Sequence, residues 1–210
     1  MNNPSYSPSA ADAGGAAICA IQKDTLPYID EWVDYNLALG FEKIYIYDNS
    51  DEFELKNWET KRNSTQVAVV HMPGENKQMK AYAQCGAAIK KNQSHEWMAF
   101  IDLDEFIVLK KHTHILDLLN DVDIEAGGLA LNWQMFGFNN QMKYTPVPVT
   151  KRFQIREVET NIHVKTIVRT SKFLRVGYNP HYAFTTGRPV DTTGRVLSKQ
   201  EPYFNPGGPL

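Results

Sequence analysis

Short apolar runs alternate with helical patterns through the first half of the chain, and this alternation limits the possible folds more than any other feature. The strand-like runs cover residues 16–21, 43–47, 66–71 and 97–101, and helical spacing of apolar residues covers 28–39 and 76–91. Strands that alternate with helices form a mainly parallel sheet, because each right-handed crossover lays a helix against that sheet. The sequence therefore predicts an α/β fold with a mainly parallel sheet and covering helices.

An acidic pair directly follows the fourth strand-like run. Because side chains alternate along a strand, Asp102 and Asp104 would face the same side while Leu103 turns into the core. Ligands of parallel sheets bind beyond the carboxyl ends of the strands, where Lys23 and Asp48 would also lie. Two carboxylates at such an edge suit a hard divalent cation, Mg²⁺ or Mn²⁺. The alternative is a polar strand end that leads into a turn.

Further candidate ligand-binding residues belong to the same predicted edge. Lys23 could approach a phosphate, and Gln78 would present its amide from the first turn of a long helix, whose N-terminus favours anions. Asp48, followed by Asn49, could accept hydrogen bonds from a base or a ribose, although an Asp here is equally typical of a turn. A histidine ligand would favour Mn²⁺. His181 is the candidate, with a hydrogen-bonded loop histidine as the alternative.

The second half of the chain alternates less regularly. The predicted elements are a short helix at 112–120 and strands at 128–133, 163–169 and 173–176. Thr113 is the predicted N-cap of the helix, and the last strand is expected to pair with the strand before it. Residues 185–210 are rich in Gly, Pro, Thr and charged residues, which predicts mostly loop, frayed at 205–209.

Two aromatic residues adjoin a polar loop in this half. Trp133 and Phe136 are candidates for stacking against the face of a sugar, because an aromatic ring beside a polar loop suits that contact. The alternative is that both rings pack in the core.

Composition is that of one ordinary globular domain. The chain has 210 residues, 42% of them hydrophobic, and a net charge of −2, so it has no overall attraction for nucleic acid or anionic membranes. No apolar run approaches the length of about 18 residues that indicates a membrane span. Residues 1–15 lack the basic start and apolar core of a signal peptide, and they predict a flexible leader.

Two further patterns concern the cell compartment. Cys19 and Cys85 lie among apolar or small residues, which favours buried free thiols, although a bridge between them stays open. Asn63-Ser64-Thr65 and Asn92-Gln93-Ser94 are acceptor patterns for N-glycosylation, and they permit a secretory location.

Several segments between residues 17 and 181 carry, in the same order, the motifs of one known family. They are Lys23-Asp24-Thr25-Leu26-Pro27-Tyr28-Ile29-Asp30-Glu31-Trp32-Val33, Leu39-Gly40-Phe41, Tyr45-Ile46-Tyr47-Asp48-Asn49-Ser50, Gln78 with Ala81-Tyr82, residues 97–106, Asn132-Trp133 with Phe136-Gly137, Lys165-Thr166-Ile167-Val168-Arg169 and Asn179-Pro180-His181. With these motifs the chain resembles the glycosyltransferase family 92 domain.

The resemblance implies a GT-A-like fold and a metal-dependent, inverting transfer of a hexose from a nucleotide sugar to a glycan hydroxyl. It implies galactose as the favoured hexose, a UDP-hexose donor, a glycan or glycoprotein acceptor, and a Golgi or other secretory membrane as the location. The family's metal-binding Asp-x-Asp is carried here by Asp102 and Asp104. We expect a flexible leader at 1–15, a C-terminally truncated glycosyltransferase domain at 16–184 and a loop-rich tail at 185–210.

Three departures from the family pattern concern the completeness of the site. Lys23-Asp24-Thr25 lacks the acidic third residue of the family's Lys-Asn-Glu, Lys151 precedes Arg152-Phe153 where the family often has an acid, and the chain ends before the family's Asn-His-Tyr motif. If the later histidine is the third metal ligand, His181 is not. Glu157 and Glu159 are the candidates for the general base. The alternative function is a non-catalytic relic that binds a nucleotide sugar or glycan without turnover.

Overall fold

One mixed sheet forms the centre of the protein, whose computed structural model describes residues 14–209. The strands are β1 (Ala16–Gln22), β2 (Lys43–Asp48), β3 (Val67–His71), β4 (Trp97–Phe100), β5 (Gly128–Asn132), β6 (Val164–Arg169), β7 (Phe173–Val176), β8 (Ala183–Thr185) and β9 (Pro189–Val190). The helices are α1 (Ile29–Ala38), α2 (Lys56–Arg62), α3 (Gln78–Asn92), α4 (Ile115–Asn120) and α5 (Val149–Arg152).

Strand direction brings several chain segments to one edge of the sheet. The seven strands lie in the order β3-β2-β1-β4-β6-β5-β9, and the first four are mutually parallel. Strand β6 is antiparallel to both β4 and β5, so β5 runs in the same direction as β4. The carboxyl ends of β1, β2, β4 and β5 therefore meet the amino end of β6 at one edge, which we call the site edge.

Both faces of the sheet are covered, and β1 shows why. Ile18 and Ala20 belong to the apolar cluster that contains Trp32 of α1, whereas Ala17 and Cys19 belong to the cluster on the other face. The second cluster takes its helical residues from α3. Because successive side chains of a strand point to opposite faces, a continuous apolar run is needed in a strand that is buried on both sides. The predicted α/β fold class, with a mainly parallel sheet and helices on both faces, is confirmed.

One prediction about the core is wrong. Cys19 of β1 and Cys85 of α3 form a disulfide, with a Cα–Cα distance of 6.0 Å, where free thiols were favoured. Both residues are buried, at 0% and 2% exposure. The two residues are 66 positions apart in sequence, and pairing depends on how α3 docks onto the sheet, which spacing does not reveal.

Three local predictions in the second half are also corrected. Strand β7 pairs with β8 in a small separate sheet and not with β6. The N-cap of α4 is His114, whose side chain accepts the backbone N–H of Leu116, and not Thr113. Asn205 is buried and is not frayed, since its backbone N–H donates to the Ile162 carbonyl at 2.7 Å.

The two ends of the chain and the possibility of a membrane span are the remaining points. The segment after residue 185 is mostly loop, with β9 as its one strand among the described residues. The predicted leader lies outside the described residues except for Gly14 and Gly15, whose carbonyls accept hydrogen bonds from the backbone N–H groups of Glu96 and Trp97. No helix within residues 14–209 is long and apolar enough to cross a membrane.

The disulfide yields a stability prediction. A bridge that closes a loop of 66 residues removes unfolded-state entropy worth about 4 kcal/mol, so reduction should lower the free energy of unfolding by about that amount. The measurement is urea unfolding with and without reductant. The matched control is the double variant Cys19→Ala/Cys85→Ala, whose stability should not respond to reductant. Equal stability of oxidised and reduced wild type would contradict the prediction.

Candidate active site

The acidic motif lies in a turn beyond its strand. Strand β4 ends at Phe100, so Asp102 and Asp104 are not strand residues, and the predicted alternation argument does not place them. Leu103 is 6% exposed and packs in the main apolar cluster, as predicted. Asp104 is exposed, whereas Asp102 is partly buried. The turn therefore anchors itself through Leu103 and presents two carboxylates in different environments.

Three donors hold the Asp102 carboxylate. Oδ1 accepts hydrogen bonds from Gln78 Nε2 at 2.7 Å and from the Tyr82 hydroxyl at 2.8 Å, one turn further along α3. Oδ2 accepts from Lys165 Nζ at 2.9 Å, near the amino end of β6. Burial and the neighbouring Asp102 carboxylate raise the pKa of Tyr82 well above its ordinary value, so Tyr82 stays a donor at neutral pH. Helix α3, the turn after β4 and β6 thus converge on one carboxylate.

A second carboxylate shares the same cation. Glu105 Oε2 lies 3.4 Å from Lys165 Nζ and accepts the backbone N–H of Asp102 at 2.9 Å. The Lys165 side chain is only 6% exposed. Burial raises the pKa of Glu105 to about 7, with the negative charge of Asp102 adding to the rise and Lys165 opposing it. We call Asp102, Glu105 and Lys165 the charge cluster. Its one buried cation faces two carboxyl groups, and the pKa of one of them, Glu105, lies close to neutral pH.

A cleft of about 310 Å³ opens beside the charge cluster at the site edge. Its lining comes from the ends of β1 and β2 and from the start of α3, and comprises Ile21, Gln22, Lys23, Asn49, Asn76, Lys77 and Gln78. Three predicted nucleotide-sugar residues, Lys23, Asn49 and Gln78, therefore line one cleft. Two lysines and a helix N-terminus give it the electrostatics of an anion site.

Asp48 and Asn49 hold the wall of this cleft in place through hydrogen bonds. Asp48 is 0% exposed; its Oδ1 accepts from Gln22 Nε2 at 2.6 Å and its Oδ2 accepts the Leu55 backbone N–H at 2.8 Å. Asp48 therefore has the turn-forming role that was the alternative to nucleotide binding. Direct contact between Asp48 and a nucleotide stays a prediction. Asn49 Nδ2 donates to the carbonyls of Met72 and Gly74, which leaves its Oδ1 for other partners.

An aromatic group forms the other side of the site edge. The rings of Trp133 and His181 lie 4.9 Å apart, and His163 lies 5.6 Å from each of them. His181 Nδ1 lies 3.1 Å from the Val164 carbonyl, which can only accept, so the proton is on Nδ1 and Nε2 keeps its lone pair. Burial and the nearby Lys165 lower the pKa of His181. His181 is therefore a neutral imidazole with a defined tautomer.

These donors suit a divalent cation in type, although they do not form a closed cage. Within residues 14–209 no three His, Cys, Asp or Glu side chains are grouped closely enough to hold a metal ion. Mg²⁺ and related ions often use one or two carboxylates and complete their shell with water and substrate phosphate. Asp104, which is exposed, fits that requirement, and the lone pair of His181 Nε2 is a second donor of suitable chemistry.

The remaining predicted residues lie on an exposed segment. Phe136 is 52% exposed, so it is not a core residue. Glu157 and Glu159 are both exposed, and their carbonyls accept hydrogen bonds from Gln134. The backbone N–H of Glu157 donates to the Met135 carbonyl, which places this segment beside the chain that follows Trp133. Their proposed role as a general base stays a prediction.

Sequence reasoning overlooked Lys165, Tyr82 and Glu105 as site residues. The signal for Lys165 was present, because a lysine inside an apolar strand pattern must find a partner for its charge when it is buried. Nothing in the sequence indicated which of the many carboxylates that partner would be. The ring of Tyr82 packs in an apolar cluster, and nothing in its helical spacing indicated that its hydroxyl would donate to Asp102.

Comparison with models of protein families shows the family to which this chain belongs. The model of glycosyltransferase family 92 matches residues 18–201. The chain belongs to this family. A glycosyltransferase family 92 protein of Oryza sativa subsp. japonica is 26% identical over 161 residues, which is 75% of this chain and 27% of the rice protein. A family 92 protein of Arabidopsis thaliana is 29% identical over 101 residues, 45% of this chain and 16% of that protein. This family 92 chain thus spans about a quarter or less of each relative.

Solved structures share parts of the architecture. Staphylococcus aureus TarS (residues 1–349) superposes with a TM-score of 0.47 at 17% identity, over 75% of this family 92 chain and 47% of TarS. The mannosyltransferase PcManGT of Pyrobaculum calidifontis, in complex with GDP-Man and Mn²⁺, superposes with a TM-score of 0.38 at 13% identity, over 60% of this chain and 38% of that one.

Removal of the Lys165 ammonium group from the charge cluster should destabilise the fold. Lys165→Met leaves Asp102 and Glu105 without their counter-ion, and breaking such a buried pair costs about 3 kcal/mol. Urea unfolding at pH 7.5 measures the loss. In the double variant Lys165→Met/Asp102→Asn the loss should be smaller than the sum of the two single losses, because the partners are coupled. Additive losses would show that the ion pair does not exist in solution.

The raised pKa of Glu105 predicts a pH dependence with a definite sign. The folded protein holds this proton up to a pH of about 7, whereas the unfolded chain releases it near 4.5. Stability from Glu105 is therefore complete below pH 4.5 and is lost as the pH rises to about 7, by up to about 3 kcal/mol. Urea unfolding in EDTA at pH 4.5 and 7.5 should show this loss in wild type relative to Glu105→Gln. Parallel pH profiles would refute it.

Proposed function

We propose that this chain transfers a hexose from a nucleotide sugar to a hydroxyl group of a glycan or glycoprotein. Membership of family 92 supports the reaction class. The observation that carries the proposal is the position of the Asp102–Asp104 turn beside a cationic cleft at the carboxyl ends of β1 and β2. This is the place where an α/β sheet binds its ligand.

The cleft residues bind different parts of the nucleotide sugar. The ammonium groups of Lys23 and Lys77 and the N-terminus of α3 attract the diphosphate, while the amide oxygen of Asn49 is free to accept a hydrogen bond from a base or ribose. Gln78 lines the cleft and donates to Asp102 at the same time. It therefore couples the nucleotide site to the acidic turn. UDP-hexose is the proposed donor, with galactose as the favoured hexose.

The acidic turn is the proposed place of the divalent ion. Asp104 would hold Mn²⁺ or Mg²⁺, together with Asp102 and His181 where its shell reaches them. When bound, such an ion neutralises the charge that develops on a leaving diphosphate. The protein's own contribution is to fix the turn: Leu103 is buried beneath it and Lys165 ties Asp102 to β6. A fixed turn presents Asp104 to the ligand without a further loss of conformational freedom on binding.

The aromatic group beside the turn is the proposed acceptor side. Trp133 offers a ring face for a sugar, and the more exposed Phe136 extends that surface. In an inverting transfer the acceptor hydroxyl attacks the anomeric carbon in line with the leaving diphosphate, and a carboxylate takes its proton. Glu157 and Glu159 are the proposed bases. A secretory compartment, the Golgi in particular, is the proposed location.

A second candidate is donor binding without turnover. It is favoured by the exposure of both proposed bases. The two functions differ in product formation alone. Incubation with UDP-galactose, Mn²⁺ and a panel of glycan acceptors, followed by mass spectrometry, separates them. Retained Mn²⁺-dependent UDP binding with no product would select the binding function.

Asp104→Asn should abolish Mn²⁺-dependent UDP binding and leave the fold intact, because Asp104 is exposed and its carboxylate carries no part of the charge cluster. Asp102→Asn should also abolish it, with an added loss of stability from the ion pair with Lys165. Calorimetric titration of UDP with and without Mn²⁺, alongside urea unfolding, gives both readouts. Asp117→Asn, an exposed aspartate on α4, is the matched control. Unchanged UDP affinity in both site variants would overturn the assignment.

A further inference from the structure

We propose that Asn63 and Asn92 carry N-linked glycans, on the side of the protein that faces away from the candidate active site. The sequence contains two Asn-x-Ser/Thr patterns, with Thr65 and Ser94 as their hydroxyl residues. The pattern alone is common by chance. Its exposure, its place in the fold and the disulfide each add a separate structural argument.

Both acceptor asparagines are exposed at the ends of helices. Asn63 is the C-cap residue of α2, with a left-handed φ of 46°, and Asn92 is the last residue of α3. Their hydroxyl partners, Thr65 and Ser94, are exposed as well. A glycan on either amide would therefore extend into solvent without displacing a residue of the core.

Both sites lie at the edge of the sheet opposite the site edge. Asn63 precedes β3 by four residues and Asn92 precedes β4 by five, so each lies near the amino end of a parallel strand. The cleft and the acidic turn lie at the carboxyl ends of the same strands. Because β2 and β1 separate β3 from β4, the two strands are about 14 Å apart. Two glycans would thus lie side by side and leave the ligand cleft open.

The disulfide supplies an independent argument about compartment. Cys19 and Cys85 are bridged in the core, and disulfides form and persist mainly in oxidising compartments such as the secretory pathway. N-glycosylation takes place in that same pathway. A chain that meets the oxidant needed for its core bridge also meets the glycosylation machinery, so the two exposed acceptor patterns would be used.

The chemistry requires one co-reactant, an oligosaccharide linked to a lipid diphosphate. A bond forms between Asn Nδ2 and the anomeric carbon of the oligosaccharide, while the bond from that carbon to the diphosphate oxygen breaks. The lipid diphosphate leaves with the electron pair of the broken bond, and the amide nitrogen releases one proton to the solvent. The step involves no oxidation or reduction.

The test is secretory expression of the full chain in a eukaryotic cell, followed by mapping of the sites. Treatment with peptide N-glycosidase in ¹⁸O-water converts a glycosylated Asn to ¹⁸O-labelled Asp, which mass spectrometry locates. We expect labelled Asp at positions 63 and 92 and a Cys19–Cys85 cross-linked peptide. Thr65→Ala and Ser94→Ala should each remove one glycan. The matched controls Thr65→Ser and Ser94→Thr, which preserve the acceptor pattern, should retain it.

Each result bears on the proposal in one direction. Label at one position only supports that site and overturns the other. Disulfide-bonded protein with unlabelled Asn63 and Asn92 overturns both sites, and protein with free Cys19 and Cys85 overturns the compartment argument. None of these readouts depends on UDP binding or sugar transfer, so failure of the glycosylation proposal and failure of the proposed function are distinguishable.

Discussion

The constraint on which the candidate site depends is the burial of one positive charge. Lys165 Nζ lies within 2.9 Å of Asp102 and 3.4 Å of Glu105, with little access to solvent. A buried ammonium is tolerated only when carboxylates and hydrogen bonds replace its water. This requirement joins β6, the turn after β4 and, through Asp102, the first two turns of α3. The position of the acidic turn is therefore a consequence of charge compensation as much as of strand geometry.

A second contact extends this arrangement to the opposite face of the sheet. Trp32 of α1 is fully buried, and its indole N–H donates to the Glu105 carbonyl at 2.9 Å. Tyr35, one turn further on, donates to the Ile107 carbonyl at 2.6 Å. Helix α1 therefore satisfies backbone carbonyls of the segment that follows the acidic turn, where no strand partner is available for them. The irregular backbone of residues 101–109 is held by side chains in place of a sheet ladder.

Local patterns in the sequence predicted the main strands and helices correctly. Several contacts between segments that are distant in sequence were not predicted. The first four strands and the two main helices were placed within about two residues, because their apolar periodicity is strong. The Cys19–Cys85 bridge and the pairing of β7 with β8 depend on docking between separated elements, which periodicity does not encode. At the site, the rule for strand ends placed Lys23 and Asn49 together, and the preference of helix N-termini for anions added Gln78, which lines the same cleft. Asp48, in contrast, serves a turn, because its neighbours offer buried donors that the rule does not consider.

The separation of Lys165 from Asp102 along the chain has a consequence for synthesis on the ribosome. The four parallel strands and α3 are complete once residue 100 has emerged, but the cation that compensates Asp102 comes 63 residues later. At roughly 5–20 residues per second this interval lasts about 3–13 s. In the folded protein β6 pairs with the β4 edge and Lys165 compensates the carboxylates of the acidic turn. Neither the sheet nor the charge balance of the turn can therefore be completed before β6 has been synthesised.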